Sequence, residues 1–84
     1  MDTQNQLIAL LDLAERLHME IRRVPLDGEG GGLCRLKGQC ILFVDTSASA
    51  TDQLARTAAA LASLNDWQDT YLLPEIRELL ERYR

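Results

Sequence analysis

The sequence predicts a small α+β domain of order α-β-β-β-α-α, with helices packed on a small antiparallel sheet. Three observations predict it. Leucines recur at helical spacing over residues 3–17, short apolar runs punctuated by glycine and proline fill residues 19–45, and two further helical patterns follow. At 84 residues the chain is one domain, 1–84. A chain of this size buries only about 60–65% of the surface it exposes when unfolded, so its core is small.

The first helix rests on Leu7, Leu10, Leu11, Ala14 and Leu17, which form one apolar stripe, and Thr3 with Gln6 fits a capping box at its start. After His18, the residues Met19, Ile21 and Val24 alternate with Glu20, Arg22 and Arg23, as in a half-buried strand that Pro25 ends. The segment Gly28-Glu-Gly-Gly-Gly32 reads as a flexible turn leading into a second strand. Residues 33–37 and 40–45 then form two strands of a hairpin with Gly38 in its turn. The run Cys40-Ile-Leu-Phe-Val44 is apolar on both faces, as central strands are, yet a plain meander would put residues 33–37 in the middle. Either the order is not a meander, or helices or a partner cover both faces. Ser49, with Asp52 three residues on, starts an alanine-rich helix reaching about residue 63. Pro74 opens a last helix with Ile76, Leu79, Leu80 and Tyr83 along its stripe.

Composition closes several function classes. Thirteen acidic and nine basic side chains give a net charge of −4, and the basic residues are scattered, so no phosphate-binding face and no nucleic-acid partner is expected. No apolar run approaches the roughly 20 residues of a membrane span, so no membrane association is expected. The N-terminal stretch lacks the basic and apolar regions of an export signal, and two cysteines without one point to free thiols and a cytoplasmic setting.

The chemistry-bearing residues are few. The glycine segment lacks the Lys-Ser or Lys-Thr pair and the following helix of a phosphate loop, and Asp27 and Glu29 would repel phosphate. Cys34 and Cys40 have neither zinc-hairpin nor Cys-x-x-Cys spacing, and His18 is the only histidine, so no metal and no cofactor is expected. Both thiols are expected to be buried and unreactive, as free cysteines acting as small hydrophobes are. His18 near a helix end fits a structural role in the helix dipole, and Glu75, Glu78 and Arg82 have the spacing of solvated-face pairs.

The order of helix, strand, Gly31-Gly-Leu-Cys-Arg35 hairpin, Ile41-Leu-Phe-Val-Asp45 and the helix Gln53-Leu-Ala-Arg-Thr-Ala-Ala-Ala-Leu61 resembles short bacterial proteins of unknown function. More loosely, it is similar to the core of the ImmA/IrrE family of small zinc metallopeptidases. That family carries His-Glu-x-x-His on the helix after the hairpin. Here the stretch is Thr57-Ala-Ala-Ala-Leu-Ala62, so the resemblance implies neither a zinc site nor any catalytic residue.

The functional expectation is therefore a non-catalytic interaction module, self-associating as a homo-oligomer or binding a protein partner. Trp67, Tyr71 and Leu72, three large apolar residues in a connection, are the expected partner-binding residues. Trp67→Ala should then weaken association more than it unfolds the chain. The alternative is a thiol-dependent redox or small-molecule-binding protein using Cys34 and Cys40.

Overall fold

A carboxylate starts the first helix. Asp2 accepts the Asn5 amide at 2.8 Å, satisfying a donor that the first turn leaves free. The cap is thus Asp2, one residue before the expected Thr3. In the computed structural model, which describes every residue except Glu29, α1 runs Thr3–Arg16 and buries Leu7, Leu10, Leu11, Leu13 and Ala14. Its end is closed by backbone geometry. His18 takes the left-handed conformation (φ 65°), its amide donates to the Glu15 carbonyl, and the Met19 amide donates to that of Ala14. This is a Schellman cap with histidine where glycine is usual. His18 therefore reverses the chain and turns it into the sheet.

Among the described residues the strands are β1, Glu20–Val24; β2, Gly32–Leu36; and β3, Gln39–Asp45. Their order is β1-β3-β2, with β1 parallel and β2 antiparallel to β3. The α+β class and the element order hold, but the sheet is mixed rather than antiparallel. The physical reason is that Leu26 and Gly28 are held by Asp45 at the end of β3 and Gly30 by Arg56 of the following helix, which takes the chain past β3 so that β1 and β2 flank it on opposite sides. The apolar run therefore lies in the middle of a sheet that is not a meander. Lys37 (φ 52°) and Gly38 (φ 79°) join β2 to β3 in the doubly left-handed turn that suits a two-residue hairpin.

Ser49 accepts the Asp52 amide at 3.1 Å and starts α2, Ala50–Ala62. A 3-10 turn, Asp66–Asp69, and an extended connection lead to α3, Pro74–Tyr83. α1 lies over β1, α2 over β2 and β3, and α3 packs on α2 and α1. The small side chains of Ala58 and Ala62 are buried in this layer. A hydrophobic cluster unites α1, α2 and α3 with Leu42 and Val44 of the central strand. Residues Ile21, Leu42 and Leu33 share one row across the sheet on that helix-covered face.

Among the described residues, no helix is long and apolar enough to cross a membrane.

Candidate functional site

Three places hold the residues with chemistry: the crossing between β1 and β2, the cysteine hairpin, and the connection before α3.

At the crossing, Asp45 ends the central strand with only 2% of its surface exposed. Its Oδ1 accepts from the Leu26 amide at 2.8 Å, the Ser47 amide at 3.0 Å and the Ser47 hydroxyl at 2.5 Å, and its Oδ2 accepts from the Gly28 amide at 2.7 Å. The Ser47 hydroxyl bond, backed by these amides and opposed by burial, holds the carboxyl down at about 2. From α2, Arg56 donates to the carbonyls of Gly30 at 2.8 Å and Gly28 at 3.1 Å. A carboxylate thus gathers the amides of the segment while a guanidinium gathers its carbonyls. At Gly31 (φ 103°) the chain turns past the Arg56 side chain and the Phe43 carbonyl. Of the segment expected to be a flexible turn, Glu29 lies outside the described residues, Gly28 is tied down through both its amide and its carbonyl, and Gly30 through its carbonyl. The Gly28 amide is already engaged by Asp45 and Ser47, as an amide waiting for phosphate would not be. Both Asp45 oxygens are occupied by the protein's own donors, so this is a structural clamp. Sequence reasoning passed over both Asp45 and Arg56.

The hairpin separates the two thiols. In its register Cys34 pairs with Ile41 and Arg35 with Cys40, so the cysteines sit one residue out of step and face opposite sides of the sheet. Cys40 is half-buried against the core, whereas Cys34 is exposed on the face without helices. The expectation of two buried thiols is corrected: Cys34 is exposed and Cys40 only half-buried. Iodoacetamide on the folded protein should therefore label Cys34 well before Cys40, and mild oxidation should give no bond between the two. Equal labelling rates, or a Cys34–Cys40 disulfide by peptide mapping, would contradict this register.

The same helix-free face carries Ile41 and Phe43. Ile41 is buried between its strand neighbours, and the Arg22 guanidinium, paired with Glu20, lies 6.0 Å from the Phe43 ring. On this face Ile41 is thus buried and Phe43 half-buried, while Cys34 and Leu36 stay exposed.

The connection before α3 divides the three expected partner-binding residues. Trp67 is fully buried, its indole N–H donating to the Ala62 carbonyl at 3.4 Å with the Arg77 guanidinium 5.7 Å from its ring centroid. Leu72 is buried in the main cluster. Tyr71 alone faces solvent, 77% exposed, and Leu73, which sequence reasoning left out, joins it at 47%. Past Thr70 (ψ 141°) the chain turns Leu72 into the core and leaves Tyr71 and Leu73 on either side of it facing out, while Trp67 is buried from the 3-10 turn before it. Two arginines hold the segment in place. Arg16 donates to the Tyr71 carbonyl at 3.2 Å, and Arg77 donates to that of Thr70 at 2.8 Å. Beside it lies a surface groove of about 280 Å³, floored by Ala9, Leu72 and Ile76, rimmed by Asp12 and Arg16, and walled by Tyr71 and Leu73.

His18 is exposed at the α1 terminus. Among the described residues, no three His, Cys, Asp or Glu side chains gather where they could hold a metal ion. Comparison with known protein families, curated proteins and solved structures finds no match for this chain.

Proposed function

We propose that this chain is a non-catalytic interaction module that docks protein at the groove beside Tyr71. The observation that carries the reading is a large aromatic side chain left 77% exposed on a backbone pinned by Arg16, next to an apolar-floored groove. Aromatic anchors in well-formed pockets dominate binding energy at protein interfaces, and a segment already held in place loses little freedom on binding. The groove supplies the apolar floor, and Asp12 with Arg16 supplies a polar rim. A reducing, cytoplasmic setting is part of the reading, supported by the two free cysteines. A redox function using Cys34 and Cys40 together has less support, because their side chains face opposite sides of the sheet.

Selection of a displayed random-peptide library against the folded chain tests this reading. Binders should perturb the backbone amide resonances of Ala9, Arg16, Tyr71 and Leu73, and Tyr71→Ala should abolish their binding. Binders that all map to the helix-free face of the sheet would contradict it.

A further inference from the structure

We infer that the protein docking in this groove is a second copy of the chain, related by a two-fold axis, so that each copy lays Tyr71 into the groove of the other. The inference rests on the reading of the groove as a docking site and adds the identity of the occupant. A two-fold contact requires a patch complementary to itself, in which each residue meets its counterpart's neighbour reciprocally. This patch has that property in shape. Tyr71 is both the projecting group and one wall of the groove, so projection and cavity lie side by side on one surface.

The patch has the same property in charge. Its rim carries one acid and one base, Asp12 and Arg16, one turn apart on α1 and 3.4 Å from each other. Both side chains are solvent-exposed. A two-fold-related copy sets Asp12 against the second Arg16 and Arg16 against the second Asp12, whereas a rim of one sign would repel its own image. Tyr71 alone, contributing about 150–250 Å², does not make a stable interface, which takes about 800 Å² per partner. Leu73 and Ile8, the latter one turn before Asp12 on α1, are exposed apolar residues that extend the same surface.

Sedimentation of the full chain from micromolar to millimolar concentration provides the test, with Asp12→Arg and Arg16→Glu compared singly and mixed. The wild-type chain should associate to a dimer. Tyr71→Ala should weaken the dimer at least about tenfold while still melting cooperatively, because its ring is exposed. Each charge variant alone places like charges across the axis and should also weaken association at least about tenfold. An equimolar mixture of the two should associate more tightly than either variant alone, since every facing pair is then opposite in sign, although the Arg16→Glu copy lacks the bond to its Tyr71 carbonyl. A merely local effect of either substitution on its own chain would not be relieved by mixing. A wild-type dimer unaffected by these variants, or a mixture that stays monomeric, would overturn the inference. A strictly monomeric wild-type chain would overturn it too, and the peptide selection would then show whether docking at the groove survives without a second copy.

Discussion

Trp67→Ala is expected to lower folding stability by about 3–5 kcal/mol, the range for deleting a buried tryptophan. Trp67 is fully buried and belongs to the cluster that joins Leu10 and Leu13 of α1, Leu61 of α2 and Leu80 of α3. The truncation opens a cavity in that cluster, removes the ring beneath Arg77 and leaves the Ala62 carbonyl without the indole donor. A domain of this size holds roughly 4–13 kcal/mol in all, at the usual value per residue, so the variant should stand near the edge of folding. Urea unfolding followed by far-UV circular dichroism reads the loss as a lowered midpoint, and Trp67→Phe should lose much less. The expectation that Trp67→Ala weakens association more than it unfolds the chain is thereby reversed, because a ring enclosed by its own chain is not offered to a partner. A midpoint shift worth under about 1 kcal/mol would contradict the packing described for Trp67.

The second large effect is acid sensitivity centred on Asp45. Its carboxyl is held at about 2 in the folded chain, below the ordinary 3.8, so the unfolded chain takes up this proton more readily. The contribution of the clamp is therefore fully present above the unfolded value near 4 and is lost as the pH falls towards about 2. Asp45→Asn keeps the shape but replaces an acceptor oxygen with an amide that donates, against donors from Leu26, Gly28 and Ser47. This variant should be less stable than wild type at neutral pH and should lose less further stability between about pH 4 and about pH 2. Urea midpoints across that window measure both. Parallel pH profiles for the two proteins would contradict the clamp.

What could be read in advance was whatever depends on near neighbours. The stripe of α1, the Ser49 cap, Pro74 at the head of α3 and the glycine hairpin turn are all local signals, and each lies where its pattern put it except that α1 buries Leu13 and leaves Leu17 half-buried. The Schellman turn at His18 escaped because its left-handed residue is not glycine. The mixed sheet escaped because strand direction depends on where residues 25–31 carry the chain, and that is set by Asp45 and Arg56, distant in sequence from the amides and carbonyls they hold. The cysteines depend on a single residue of register, which decides the face of every side chain on a strand. In the connection before α3, Tyr71, Leu72 and Leu73 make too short an alternation to declare which side chains turn inward. Only the packed core separates Leu72 from the exposed pair.

Isotope-filtered nuclear Overhauser spectroscopy on an equal mixture of carbon-13-labelled and unlabelled protein reads directly whether copies of the chain meet at the Tyr71 groove. Such spectra report only contacts between different copies. Intermolecular cross-peaks are expected from the Tyr71 ring protons to the methyl groups of Ala9, Leu72 and Ile76, and they should be lost in Tyr71→Ala. A Tyr71 ring that shows contacts only within its own chain at millimolar concentration would contradict it.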